Sequence, residues 1–187
     1  MSSSRNRVLI FTAIFFCLFL HFPSQTEAMS GSKSLKIMAR ICKRTENIKL
    51  CLQTLLSRPQ ALLHYDLMGM AENAIQLTRK ESNDTVNFFI NLASSKDTNP
   101  AFKPALNNCI SSFKEGLMFL NLDGLEGQTA TFDIHNAYDK SNACEKGLSA
   151  NKVAIDLVPA RIKKWKDVFS VAMAATGVLE DSLPIPE

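Results

Sequence analysis

The chain has 187 residues, of which 46% are hydrophobic, and its formal net charge is only +3. A charge this small provides no basic stripe of the kind that nucleic-acid binding requires, so that class of function is excluded. The length suits one domain with a buried core.

The N-terminal segment has the organisation of a secretory signal peptide. Arg5 and Arg7 precede the apolar run VLIFTAIFFCLFLHF, and the small-residue stretch TEA ends at Ala28. The apolar run has 15 residues, which is short of the ~20 that span a bilayer, so cleavage is favoured over a membrane anchor. We therefore predict that residues 1–28 are removed and that a soluble chain of net charge +2 is exported.

Two short helical stretches, about 33–43 and 47–56, follow the leader. Isolated helices of this length are marginal in water and need a further constraint. Cys42 and Cys51 flank the turn between the two stretches, with eight residues between them. We predict an N-terminal helical hairpin over residues 29–59, closed by a disulfide between these cysteines.

Residues 60–187 carry four long helical patterns and no sustained alternation of period two, so no sheet is predicted. Proline- and glycine-rich breaks are predicted at 97–104, 122–128 and 147–152. Apolar and small residues recur at steps of three and four, as in the seams of antiparallel bundles. The sequence therefore predicts an all-α protein, an up-down-up-down four-helix bundle preceded by the hairpin. The predicted seams consist of Leu63, Leu67, Met70, Ala74, Leu77, Val86, Phe89, Ile90 and Ala93; of Leu106, Cys109, Phe113, Leu117 and Leu120; of Ala130, Ile134, Ala137, Ser141, Cys144 and Leu148; and of Val158, Ile162, Trp165, Phe169, Ala172, Thr176 and Leu179.

The cysteine count indicates two disulfides. Cys17 lies in the leader, and an exported chain with four remaining cysteines is expected to hold them as bonds rather than as thiols. Sequence alone permits three pairings. Proximity favours Cys42 with Cys51, and helix topology favours Cys109 with Cys144, since both of the latter lie on seams of adjacent bundle helices.

The sequence contains no recognisable catalytic or metal-binding constellation. His64 and His135 do not stand in a zinc-binding spacing, and the paired cysteines are unavailable as ligands. No P-loop or nucleophile elbow occurs. Asp133 and Asp139, or Glu72 and Glu81, could be imagined as paired carboxylates, but a solvated helix face is the default for such residues. We predict no catalytic residue, no metal and no cofactor, and place His135 on the surface.

Phe132 and Asn83 are the two positions that depart from this pattern. Phe132 falls about 200° round its helix from Ala130, opposite the seam. It would either anchor a partner or lie in the first helical turn and pack back on the bundle, and the second use is the commoner one. Asn83 begins the N-glycosylation sequon Asn83-Asp84-Thr85 and is predicted to carry a glycan if it is exposed.

Three segments together resemble the plant invertase/pectin methylesterase inhibitor family. ICKRTENIKLCLQTLLSRPQA (41–61) is similar to the family's opening hairpin, PALNNCISSFKEGL (104–117) to its second bundle helix, and TFDIHNAYDKSNACEKGL (131–148) to its third. The resemblance implies a four-helix bundle with an N-terminal hairpin and cysteines paired in sequence order. It also implies one-to-one, non-covalent inhibition of a carbohydrate enzyme whose substrate cleft the inhibitor covers, without turnover of its own.

The resemblance also bears on the target enzyme. Invertase inhibitors of the family can carry Pro-Lys-Phe before the third bundle helix, where this chain has Gly127-Gln128-Thr129. This difference favours pectin methylesterase, with acid invertase as the alternative and a secreted carrier of an apolar ligand as a more remote one. We expect a monomer in the apoplast or cell wall, with the vacuole as the alternative compartment. The expected contact residues are Thr129, Phe132, Asp133 and Asn136.

Overall fold

Helices make up the regular secondary structure of the described residues, which are 25–57, 66–126 and 129–183 of a computed structural model. The prediction of an all-α fold is confirmed. One 3-10 turn, Pro100–Phe102, precedes the fourth helix. The helices are α1 (Gln25–Cys42), α2 (Ile48–Leu56), α3 (Leu67–Ser94), α4 (Lys103–Phe119), α5 (Asp123–Glu126), α6 (Ala130–Ala150) and α7 (Leu157–Glu180).

Helices α3, α4, α6 and α7 form the bundle. Each packs antiparallel against the next one along the chain, and α7 packs against α3 to close the square. As a result α3 and α6 lie on one diagonal, and α4 and α7 lie on the other. This is the predicted up-down-up-down order.

An aromatic cluster connects all four bundle helices. Trp165 of α7 lies at its centre, with its ring centroid 5.0 Å from that of Phe113 on α4 and 5.5 Å from that of Tyr138 on α6. Phe89 of α3 reaches Phe113 at 5.9 Å. The indole N–H donates to the Ser82 hydroxyl over 3.1 Å, so the one polar atom of this buried ring is satisfied.

Helices α4 and α6 approach each other closely through small residues. Cys109 and Cys144 form a disulfide with their Cα atoms 4.3 Å apart. About two turns further along α4, a Cβ added to Gly116 would lie 2.3 Å from Ser141 Oγ and 2.8 Å from the Ala137 carbonyl oxygen. The two backbones therefore touch without an intervening side chain.

The hairpin of α1 and α2 packs on the outside of α7. Cys42 and Cys51 form the second disulfide, with Cα atoms 5.5 Å apart, and Asn47 caps α2 by accepting the Leu50 N–H over 3.0 Å. The predicted seam of α7 is buried throughout, and α7 also buries a second set of residues: Val171, Ala174, Ala175 and Val178. This additional burial is explained by the hairpin, which contacts α7 with both of its helices.

Three sequence-based details are wrong or lie outside the described residues. Ile90 is 37% exposed, because it lies about 100° beyond the buried Phe89 on α3. The last break is later than predicted: α6 continues to Ala150, and Gly147 lies inside it, where a Cβ would come 2.9 Å from Asn108 Nδ2. Helix α3 begins at Leu67 behind the cap Asp66, while residues 58–65, with Leu63 and the predicted boundary at 59/60, are not described.

Helix α1 begins at Gln25, so the predicted cleavage after Ala28 would remove its first turn. Residues 1–24, which include the apolar run of the predicted leader, lie outside the described part of the chain. Among the helices that are described, none combines the length and the hydropathy that a membrane span requires.

The α4–α6 contact predicts that Gly116→Ala destabilises the protein. The new methyl group would overlap Ser141 and a backbone oxygen, so α4 must move away from α6, at a cost of about 1–3 kcal/mol. Gly177→Ala in α7 is the control, because its Cβ would meet only Arg44 Nη1 at 3.5 Å. That variant is expected to be neutral or to gain up to ~1 kcal/mol from helix propensity. Urea unfolding followed by Trp165 fluorescence measures both, and equal effects would contradict the close contact.

The two disulfides are expected to have separable effects. The Cys109–Cys144 disulfide joins residues 35 positions apart and so restricts the unfolded chain. Removing it by a double alanine substitution should lower the unfolding free energy by about 4 kcal/mol. Removing Cys42–Cys51 should instead loosen the hairpin, with faster amide hydrogen exchange in 48–56 and a smaller change in the Trp165 transition. If loss of the hairpin disulfide lowers that transition as much, the hairpin and the bundle unfold as one unit.

Candidate functional site

The four residues expected to contact a partner lie together at the start of α6. Thr129 is the N-cap residue, and the Asp133 N–H donates to its carbonyl oxygen over 2.9 Å. The Thr129 hydroxyl donates to Asp133 Oδ2 over 3.3 Å. Thr129 and Phe132 are exposed, while Asp133 and Asn136 are half-buried. The structure thus brings all four onto the first two turns of one helix.

Phe132 faces solvent with 67% of its surface exposed. The interpretation that it packs back on the bundle is therefore wrong. A hydrophobic staple needs an apolar residue just before the N-cap, and this position is the polar Gln128. The buried stripe of α6 runs through Ala130, Ile134 and Ala137, about 140° or more away from Phe132 round the helix. An exposed aromatic ring on a rigid helix, with polar neighbours, has the properties of a binding anchor.

Helix α5 supports one side of this first turn. The Thr129 N–H donates to the Gly124 carbonyl oxygen over 3.0 Å. A Cβ on Gly124 would come within 2.7 Å of Asp133 Oδ2 and 2.9 Å of Thr129 Oγ1, so a larger residue there would displace these side chains. Thr129 and Asp133 are consequently engaged with each other and with α5. Phe132 and Asn136 are the members of the set that make no such contact with α5.

Glu180, at the end of α7, caps the start of α6. Its Oε1 atom accepts the Thr131 N–H over 2.9 Å, one of the amides that a helix leaves without an internal partner. The negative charge also complements the positive end of the α6 dipole. Sequence reasoning missed this residue. A glutamate in the last turn of a helix opposes its own dipole, and that is the signal that indicates a partner elsewhere.

A groove lies between the hairpin turn and α7. Its floor is α7 from Lys163 to Ala174, and Tyr138 of α6 and Leu50 of α2 line its sides. Its three cations each have a carboxylate partner: Arg44 with Asp181, Lys163 with Asp167, and Lys166 with Glu145. Their charges are thus compensated within the protein, which makes the groove a weaker candidate than the start of α6.

Chemistry-bearing side chains are scattered rather than grouped. The expectation that Glu81 lies on a solvated helix face is wrong: its side chain is buried, because it faces Arg161 of α7. In the described ranges, no three His, Cys, Asp or Glu residues are close enough to hold a metal ion. His135 is exposed on α6, as predicted, and His64 lies outside the described residues. The fold is a disulfide-linked helical bundle, and its candidate surface is the first two turns of α6.

The comparisons with known proteins agree with this class. The sequence model of the plant invertase/pectin methylesterase inhibitor family matches residues 36–175, and the chain belongs to this family. A mutant form of a pectin methylesterase inhibitor from Arabidopsis shares the fold, with a TM-score of 0.63 and 18% identity over 79% of this chain and 97% of that one. A second crystal structure, of a pectin methylesterase inhibitor from Arabidopsis thaliana, gives a TM-score of 0.54 and 18% identity over 81% and 98%. No curated protein sequence matches the chain.

Because Glu180 caps α6, we expect its removal to lower the unfolding free energy more than removal of its neighbour Asp181. Glu180→Ala should lower the unfolding free energy by about 1 kcal/mol, because the Thr131 amide loses its partner. Asp181→Ala removes only a solvent-exposed ion pair with Arg44 and should cost ~0.5 kcal/mol or less. Denaturant unfolding measures both variants, and hydrogen exchange of the Thr131 amide should accelerate only in the first. Unchanged exchange in Glu180→Ala would show that the carboxylate does not hold this turn.

Proposed function

We propose that the protein is a secreted inhibitor that blocks the substrate cleft of a plant pectin methylesterase in a one-to-one, non-covalent complex. The observation that carries this proposal is the family match over residues 36–175, in a chain that adopts the bundle of two inhibitors of that name. Both the match and the fold extend over the hairpin and most of the bundle. The proposal therefore concerns the chain as a whole rather than one motif.

The start of α6 is the proposed contact surface. Phe132 protrudes from a turn that α5 supports on one side and Glu180 caps from α7. Because these contacts fix the turn before any partner arrives, little conformational entropy is lost on binding. A buried aromatic anchor surrounded by polar contacts is the usual centre of a tight interface, and Asn136 supplies donors and acceptors one turn further on.

Pectin methylesterase is preferred to invertase because of the residues just before α6. Invertase inhibitors of the family can carry Pro-Lys-Phe there, and this chain has Gly127-Gln128-Thr129. Gly127 and Gln128 lie outside the described residues, whereas Thr129 is the N-cap of α6. Acid invertase remains the second candidate, since the family includes inhibitors of both enzymes.

The packing of the bundle disfavours the alternative of an apolar-ligand carrier. A carrier requires a cavity between its helices. Here the centre of the bundle is occupied by Phe89, Phe113, Tyr138, Trp165 and Phe169, whose rings contact one another from all four helices.

Secretion is supported by the two disulfides, which persist in oxidising compartments, and by the leader. We place the protein in the apoplast or cell wall, with the vacuole as the alternative.

A dose titration of the oxidised mature protein against pectin methylesterase and acid invertase tests the proposal. The assays run at mildly acidic and at neutral pH, with a reduced sample in parallel. The expected result is stoichiometric inhibition of pectin methylesterase that is lost on reduction. Inhibition of invertase alone would move the proposal to the second candidate. No effect on either enzyme, with the helical circular dichroism spectrum intact, would refute the inhibitor function.

Phe132→Ala tests the contact surface separately. We expect Kd for the inhibited enzyme to rise at least tenfold, which corresponds to about 1.4 kcal/mol or more at an anchor position. The matched control is Leu157→Ala. Leu157 is similarly exposed at 64%, but it lies at the start of α7, at the opposite end of the bundle. An unchanged Kd in Phe132→Ala, or an equal loss in Leu157→Ala, would place the contact surface elsewhere.

A further inference from the structure

The glycosylation sequon Asn83-Asp84-Thr85 lies in the interior of α3, with its two essential residues in opposite environments. The Asn83 side chain is exposed, whereas Thr85 is completely buried. Residues two positions apart in a helix point about 200° away from each other. A transferase that must contact the amide and the hydroxyl together therefore cannot engage both while this segment is helical.

Contacts with α7 hold the Thr85 hydroxyl in place. It donates to the Glu81 carbonyl oxygen over 2.8 Å and accepts from Arg161 Nε over 2.9 Å. Arg161 also donates through Nη2 to the same carbonyl over 3.0 Å and pairs with the Glu81 carboxylate at 2.9 Å. Lys164 reaches the other carboxylate oxygen at 3.0 Å. Exposing Thr85 would thus require the separation of α3 from α7.

The Asn83 amide is also engaged in the folded chain. Its Nδ2 atom, the atom that a glycan would modify, donates to the Arg79 carbonyl oxygen over 3.0 Å. This contact is at the surface, where water replaces it at little cost. A glycan attached before folding would therefore be accommodated, because Asn83 projects away from the bundle.

We propose that Asn83 receives an N-linked oligosaccharide while the chain is still unfolded, and that docking of α3 on α7 closes the site to further modification. The donor is an oligosaccharide on a lipid pyrophosphate. Nδ2 of Asn83 forms a bond with the anomeric carbon and loses a proton, while the bond from that carbon to the pyrophosphate oxygen breaks and the lipid pyrophosphate leaves. The inference rests on the secretion included in the proposed function.

The bundle geometry also places this glycan away from the proposed contact surface. Asn83 lies on the outer side of α3, and Phe132 lies on the outer side of α6. These two helices are diagonal to each other in the bundle. The glycan would increase solubility and shield one face of the protein without covering the first turn of α6.

The test is expression of the full chain in a secreting eukaryotic cell, once with its own leader and once behind a signal sequence of the host. Enzymatic deglycosylation should produce a one-glycan shift in mass. Asn83→Gln and Thr85→Val should abolish the shift, whereas Thr85→Ser, which retains a hydroxyl, should keep it. An unmodified wild-type chain behind the host signal would overturn the proposal, and a shift obtained only with that signal would overturn secretion by the chain's own leader.

The timing is tested with solubilised oligosaccharyltransferase and a lipid-linked donor. The oxidised, folded, glycan-free protein should remain unmodified, while the reduced and denatured protein and a short peptide spanning residues 79–89 are modified. Equal modification of the folded protein would refute closure of the site.

Inhibition by glycosylated and deglycosylated protein should agree within about twofold, and a tenfold difference would refute the separation of the two surfaces. The mass readouts do not depend on inhibition, so they stand or fall independently of the target enzyme.

Discussion

The close contact between α4 and α6 is the constraint on which the rest of the structure depends. Here the disulfide holds Cα atoms 4.3 Å apart, and Gly116 leaves no room for a side chain opposite Ala137 and Ser141. The middle of α6, from Ala137 to Cys144, is therefore fixed by covalent and steric contact with α4. Phe132 derives its fixed orientation from this placement.

Helix α7 contacts the other elements and fixes their positions relative to α6. Its bundle face carries Trp165 into the aromatic cluster, and its second buried face receives the hairpin. Its last turn supplies Glu180 to the first turn of α6. One helix thus contacts the hairpin, closes the bundle and caps the candidate site. This explains why α7 is more extensively buried than a simple bundle helix with one apolar stripe.

The parts of this arrangement that depend on the spacing of residues along the chain could be predicted from the sequence. The seams of α6 and α7 are buried residue for residue, and the four cysteines pair as proximity and topology favoured. Local spacing was misleading where a distant element decides the outcome. Gly147 was read as a helix end, although it lies beside Asn108 inside α6. Glu180 could not be assigned, because its partner Thr131 is 49 positions away. The exposure of Phe132 stayed open because its first turn offered two packing solutions.

The buried ion pair between Arg161 and Glu81 sets the position of α7 along α3 more than it adds to the free energy of unfolding. Such a pair, with side chains only 16% and 9% exposed, adds little over well-packed apolar residues, because desolvation offsets the attraction. However, Arg161 also donates to the Thr85 hydroxyl and the Glu81 carbonyl oxygen. These two acceptors and the paired carboxylate match one position of α7 along α3. A slip of α7 by one turn, about 5.4 Å, would leave them unpaired and would also carry Glu180 away from Thr131. The polar residues buried between α3 and α7 therefore keep Glu180, at the far end of α7, within hydrogen-bonding distance of Thr131 in the first turn of α6. In the proposed inhibitor, buried polar groups of this kind would position the contact surface.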